Sequence, residues 1–192
     1  PMEGALLALA GKISGQGGQA FGGHTRLDAV PFDAAHRYMA VLSLDSDGLP
    51  HIYVKGAPEA LLAMCAQQRT PEGNAPLDAD YWLQQVEKLA EKGRRVLAVA
   101  ERAAAAGQTA LSSADIAQSL QFIGLVGLID PPRAEAVAAV QQCREAGIQV
   151  KMITGDHAAT ARAIAREIGL THTDNVLTGN DLDFIDDAGL AG

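Results

Sequence analysis

The alternation of apolar and polar positions changes character twice along the chain. In EGALLALAGKI, Ala5, Leu6, Leu9 and Ile13 fall at helical spacing, and the helix is predicted to stop near Gly15. From Arg26 to Lys55 the pattern becomes three short β-rich runs, TRLDAVPFD, HRYMAVLSLD and LPHIYVKG. Ser46-Asp47-Gly48 between the second and third is a hairpin-type turn signal, so antiparallel strands are predicted. PEALLAM follows as a helix with Pro58 in its first turn, and RTPEGNAPLD reads as a loop. YWLQQVEKLAEK places Leu83, Val86, Leu89 and Ala90 on one helical face and stops at Gly93; RRVLAVAERA is the next strand. Tyr81 and Trp82 read as packing residues of that helix.

Beyond about residue 120 the composition shifts. FIGLVGLID is an almost wholly apolar strand, PPRAEAVAAVQQCREAG a helix stopped by Gly147, IQVKMI a second apolar strand, and HAATARAIAREIG a helix stopped by Gly169. This β-α-β-α order with short connections predicts a parallel sheet covered on both faces. The fold class is α/β: a first unit over residues 1–120 with a mostly antiparallel sheet flanked by helices, and a partial Rossmann-like parallel unit over residues 121–192. A chain of 192 residues is long for one domain and short for two, which fits one full domain and part of another.

The formal net charge of -8 argues against nucleic acid and anionic membrane surfaces as partners, since both repel an anion. Cys65 and Cys143 stand in apolar helical contexts without CxxC spacing or a nearby histidine pair, so neither a zinc site nor a disulfide is predicted, and a reducing compartment fits. No apolar run approaches the roughly 18 residues of a membrane span, and PMEGALLALAGK lacks the features of a cleavable leader. Pro1 at the start and DDAGLAG at the end suggest a piece of something longer.

Candidate chemistry gathers where strands end. SGQGGQAFGGHT is glycine-rich, but it matches neither GxxxxGK[ST] nor a strand-GxGxxG-helix arrangement and reads as a connector. Thr154-Gly155-Asp156 follows an expected parallel strand and precedes a helix, the place where open α/β sheets bind ligands. Gly155 permits close backbone approach, and Asp156 suits a phosphate-bound magnesium ion or a neighbouring cation better than a bare phosphate. The structural alternative for Asp156 is an N-cap of the helix that begins with His157.

Three stretches in order carry a family resemblance: YVKGAPEALL, GLIDPPRAEAVAAVQQCREAGI and MITGDHAATARAIAREIGL. Together they resemble the cytoplasmic catalytic region of P-type cation-transporting ATPases of the calcium and sodium/potassium pump type. The resemblance implies a nucleotide-binding domain containing KGAPE, a hinge DPPR, and TGD within a phosphorylation domain of the HAD type.

It also implies roles. Lys55 becomes the nucleotide-pocket lysine, with Gly56 beside it letting base or ribose approach; its alternative is an exposed strand-end lysine. Phe32 stacks on adenine, where without the resemblance it reads as core. Glu3 faces the adenine amino group, with an ordinary first-turn charge as the alternative. Arg95 contacts the nucleotide phosphates through its fork of donors, and Arg94 beside it is expected to be solvated. Thr154, Gly155 and Asp156 approach the γ-phosphate and its metal, while Asp130, Pro131, Pro132 and Arg133 form the hinge. ATP or ADP is the implied nucleotide, with Mg2+ bound to it. The implied partners are the remaining actuator, phosphorylation and transmembrane parts of a parent pump. The chain itself is then soluble, on the cytoplasmic side of a membrane protein, without direct membrane contact.

Two departures matter. After Phe32 the chain has Ala34, Ala35, His36 and Arg37 where the family often carries a basic cluster, and neither DKTGT nor GDGxNDxP occurs. The fragment is therefore expected to bind nucleotide without turning it over. The rival from another class is a non-catalytic regulatory or docking module of the same fold. A complete small phosphatase or kinase ranks lower, because its one candidate nucleophile, Asp130, stands in DPPR without the acid and hydroxyl residues expected after it.

Overall fold

A computed structural model of the chain describes residues 2–14, 24–129 and 131–182. The glycine-rich stretch over 15–23, hinge residue Asp130 and the terminal DDAGLAG lie outside the described residues. The elements run α1 (Met2–Ser14), β1 (Thr25–Asp33), β2 (Tyr38–Leu44), β3 (Pro50–Gly56), α2 (Pro58–Met64), β4 (Cys65–Thr70), β5 (Gly73–Pro76), α3 (Ala79–Ala90), β6 (Arg95–Ala103), β7 (Leu120–Leu128), α4 (Ala134–Glu145), α5 (Ala158–Glu167) and α6 (Gly179–Leu182). Backbone contacts divide the chain into two compact units, one of residues 1–86 and 96–128, the other of 87–95 and 129–192.

The first unit is a seven-stranded mixed sheet in the order β1-β2-β3-β6-β7-β4-β5, flanked by helices. β1, β2, β3 and β6 pair antiparallel in sequence, as their period-2 patterns predict, and β7 pairs with β4 in parallel. Alternation sorts the side chains of β2 and β3 into two faces. Tyr38, Ala40, Leu42, Ile52 and Val54 point into a core completed by Leu61 and Leu62 of α2, Ala98 and Ala100 of β6, and Leu120 and Phe122 of β7. Met39, Val41, His51, Tyr53 and Lys55 occupy the opposite face, half-buried. Each fully buried Leu, Ile or Phe contributes on the order of 1.5–3 kcal/mol relative to exposure, so the face carrying the core fixes the register.

RTPEGNAPLD does not form a loop. Gln67 to Thr70 pairs antiparallel with Gly73 to Pro76, and Thr70 Oγ1 donates to Gly73 O at 2.9 Å across the turn. Turn residues masked a hairpin whose strands are only six and four residues long. Cys65 accordingly leaves the helical context expected for it and opens β4, where burial pushes its thiol up to about 12. Trp82 packs against the core with its ring 4.8 Å from that of Phe122, and its Nε1 donates to Gln68 Oε1 at 2.7 Å.

The second unit contains α4, α5 and α6. Residues 148–153, expected as a strand, form no ladder among the described residues, and Ile153 is 98% exposed. An apolar run becomes a strand only when a neighbour satisfies its backbone groups, and the parallel partner of β7 is β4 rather than this segment.

Candidate functional site

In the first unit, β3 delivers Lys55 and Gly56 to the point where the chain turns into α2. Ala57 is extended (φ -62, ψ 135) and Pro58 occupies the first turn, so strand passes to helix through one residue. Lys55 Nζ donates to Glu3 Oε1 at 2.8 Å, with side-chain exposures of 23% and 63%. This hydrogen bond from the ammonium is the main cause holding the Glu3 carboxyl below the usual carboxylate range. Glu3, Leu6, Leu7 and Ala10 of α1 and Lys55 of β3 line an open groove of about 410 Å3 with a mainly apolar wall. The cross-strand neighbour of Lys55 on β2 is Met39.

Gly56 faces its own chain. A Cβ there would lie 2.5 Å from Arg37 O and 2.7 Å from Tyr38 Cα, so the space left by the absent side chain is taken by the start of β2. Arg37, at φ 60, sends its N–H to Asp33 O at 2.7 Å and accepts Ala57 N–H at its carbonyl at 2.9 Å. The turn that follows Phe32 is thereby tied to the turn that follows Lys55, and two motifs distant in sequence share one end of the sheet. Sequence reasoning missed this tie, since nothing in the side chain of Arg37 announces a left-handed backbone.

Phe32 is 61% exposed on β1, in the irregular stretch of ladder between Val30 and Asp33, so it is not a core residue. Asp33 Oδ1 accepts the N–H groups of Ala35 at 2.7 Å and His36 at 3.4 Å, and these bonds hold its carboxyl below the ordinary range. A second depression of about 220 Å3, lined by Val30, Pro31, Asp33, His36, Tyr38 and Ser113, does not include Phe32.

In the second unit, Thr154, Gly155, Asp156 and Arg95 come together. Arg95 Nε donates to Asp156 Oδ1 at 2.7 Å, and its NH2 donates to the same oxygen. Thr154 Oγ1 donates to Asp156 Oδ2 at 3.0 Å and accepts Asp156 N–H at 3.1 Å, closing a compact turn. Gly155 has open space where a side chain would stand. Asp156 does not cap α5: that position belongs to His157, whose Nδ1 accepts Ala159 N–H at 3.3 Å, leaving the Asp156 carboxylate for Arg95 and Thr154.

Arg95 is held there because the preceding turn is clamped. Gly93 adopts φ 68 after α3, and buried Thr160 of α5 donates from Oγ1 to Arg94 O at 3.0 Å. Arg94 is not solvated as expected; it is half-buried, and its Nε is buried without a hydrogen-bond partner among the described residues.

Chemically, the first group offers a cation and a carboxylate at the mouth of an apolar groove. The second offers one carboxylate, one hydroxyl and a guanidinium. No cluster of three or more His, Cys, Asp or Glu side chains able to hold a metal ion occurs among the described residues. Within the same residues no helix is long and apolar enough to cross a membrane.

Residues 1–135 match the family model described as P-type ATPase, cytoplasmic domain N. The chain is 45% identical over 171 residues to the cation-transporting ATPase pma1 of Synechocystis sp., covering 88% of this chain and 19% of that protein. It is 42% identical over 149 residues to the sodium/potassium exporting P-type ATPase cta3 of Schizosaccharomyces pombe, covering 77% of this chain and 14% of that protein. Against the calcium-transporting ATPase of Bacillus subtilis it is 37% identical over 174 residues, with coverages of 88% and 19%. The chain thus spans about a fifth or less of the length of these relatives. With a family model matched over most of its length, the chain belongs to the P-type ATPases and carries their cytoplasmic domain N.

Proposed function

We propose that the first unit, whose sheet includes β7, forms a nucleotide-binding domain that takes ATP at the groove lined by Glu3, Leu6, Leu7, Ala10 and Lys55, and that the second unit belongs to a phosphorylation domain whose remainder lies elsewhere in the whole protein. The observation that supports this most is the Lys55–Glu3 pair set into an apolar wall. An apolar groove with a few convergent polar groups is the common form of a small-molecule site, and here the polar groups are one donor and one acceptor. Glu3 accepts from the adenine amino group, Lys55 donates to the base, and exposed Phe32 supplies a flat apolar face for stacking. Gly56 serves by letting β2 approach, which sets the position of Lys55.

In the whole protein, Arg95 turns its fork of donors from Asp156 to the nucleotide phosphates. Thr154, Gly155 and Asp156 meet the γ-phosphate and the Mg2+ that arrives with it. With only one carboxylate in that turn, magnesium enters as part of the nucleotide. The γ-phosphate then passes in line to an aspartate of a DKTGT motif outside this chain, and hydrolysis of the aspartyl phosphate is coupled to cation movement. The isolated chain binds nucleotide and does not hydrolyse it.

An NMR titration of the labelled chain with ATP tests the reading, because it detects even millimolar binding, about -4 kcal/mol. Shifts centred on Glu3, Phe32 and Lys55, lost in Lys55→Ala, are expected. A folded chain whose spectrum does not respond to high ATP would sink it.

A further inference from the structure

One hydroxyl ties the Arg95–Asp156 pair together from behind. Thr160, in the first turn of α5, is 2% exposed, and its Oγ1 donates to Arg94 O at 3.0 Å. A helical threonine commonly returns this proton to the carbonyl one turn back, so sending it to another segment commits the hydroxyl to that segment. The peptide it grips is already held from the other side. After α3, Gly93 N–H reaches Ala90 O at 2.8 Å and Arg94 N–H reaches Leu89 O at 3.3 Å, a closing turn that Gly93 enables at φ 68. Arg94 is thus fastened to α3 through its N–H and to α5 through its carbonyl, and the next residue is Arg95.

The α5 end is equally fixed. His157 caps the helix by accepting Ala159 N–H, and Asp156 stands immediately before that cap. The contacts form a closed ring: Asp156 through the cap to Thr160, Thr160 to Arg94, Arg94 to Arg95, and the Arg95 guanidinium back to Asp156. Valine would fill the same buried volume without a polar group to satisfy, so packing alone does not call for a hydroxyl here. We infer that Thr160 is a positioning residue, which aims Arg95 and Asp156 at each other by holding the backbone of Arg94. Its functional weight rests on the nucleotide reading above, in which Arg95 exchanges Asp156 for the phosphates: a guanidinium whose backbone is already fixed loses less freedom on meeting them.

The test follows solvent exchange of the Arg95 Nε–H by NMR on the whole 192-residue chain without nucleotide. The Arg166 Nε–H, which donates to Thr173 Oγ1 at 3.4 Å near the far end of α5, serves as reference. Thr160→Val is expected to quicken exchange at Arg95 by about three- to tenfold, the worth of one hydrogen bond, and to leave Arg166 unchanged. Thr160→Ser keeps the hydroxyl and is expected to restore slow exchange. Unaltered exchange at Arg95 in the valine variant overturns the inference. So does equal quickening at Arg95 and Arg166, which would make Thr160 an ordinary core residue of α5. Should the valine variant not fold, Thr160→Ser decides alone: slow exchange at Arg95 supports the inference, and quickening there overturns it. Because no nucleotide is present, failure here leaves the nucleotide reading standing, and a folded chain that ignores ATP removes that reading without altering these rates.

Discussion

Arg95 Nε lies 2.7 Å from Asp156 Oδ1 although the two residues are 61 positions apart. The contact joins the first residue of β6 to the turn before α5 through a guanidinium that is 52% exposed and a carboxylate that is 18% exposed. Such a pair is screened on one side, so its coupling is expected below about 1 kcal/mol and falling with salt. A double-mutant cycle of Arg95→Ala and Asp156→Asn, read by urea unfolding at low and high NaCl, measures it. A coupling of several kcal/mol that ignored salt would mean the pair holds the unit together rather than standing ready to exchange partners.

Gly56→Ala is expected to destabilise the chain by about 1–3 kcal/mol, because the added methyl group meets backbone atoms that cannot rotate away. The clash is with Arg37 O at 2.5 Å and Tyr38 Cα and Cβ at 2.7 Å. Thermal unfolding of the variant checks the magnitude. Its ATP titration checks the second expectation, that displacement of Lys55 weakens binding even where the protein stays folded.

Much of the fold was legible because burial on one face of a strand leaves a period of two, as in YMAVLSL and PHIYVKG, and burial of one stripe of a helix leaves the spacing of Val86, Leu89 and Ala90, although Leu83, expected on the same face, is exposed. The β4–β5 hairpin left no such trace: CAQQRT and GNAP are short, polar and at the sheet edge, so turn chemistry dominated their reading. Residues 148–153 failed in the opposite direction, since apolar composition marks a wish for burial without naming the neighbour that provides it. In the site, motifs located Lys55 and Asp156, but the pairings Lys55–Glu3 and Arg95–Asp156 depend on long-range packing that spacing does not encode.

Asp28 couples stability to pH. Its Oδ2 accepts Leu111 N–H and its Oδ1 accepts Ala29 N–H, both at 2.8 Å, and these bonds depress its carboxyl, Leu111 first. A carboxyl depressed in the folded state contributes stability that is present above its unfolded value of about 3.9 and is lost as pH falls through the lower folded value. Asp28→Asn should therefore lower the urea midpoint at pH near 7, and the gap from the unmodified chain should close in acid below about pH 4. A gap independent of pH would assign the loss to packing instead of charge.

Glu101 and Arg69 make an asymmetric pair, and the asymmetry predicts which partner is costlier to remove. Glu101 is 7% exposed on β6 and shares its carboxylate between Arg69 of β4, bonded at Oε1, and His51 of β3, whose Nε2 lies 3.3 Å from Oε2. Arg69 has a side chain 54% exposed. Replacing Glu101 by Gln lets the guanidinium turn to water, at a cost of about 1 kcal/mol. Replacing Arg69 by Leu strands a buried carboxylate with only a histidine beside it, and an uncompensated buried charge is the more expensive outcome, here about 2–3 kcal/mol after allowing for the exposed side of the pair. Urea unfolding of Glu101→Gln and Arg69→Leu at neutral pH ranks the two. If the Glu101 variant proved the less stable, the carboxylate would be acting as an acceptor that organises β3, β6 and β4, and charge burial would not be the dominant cost.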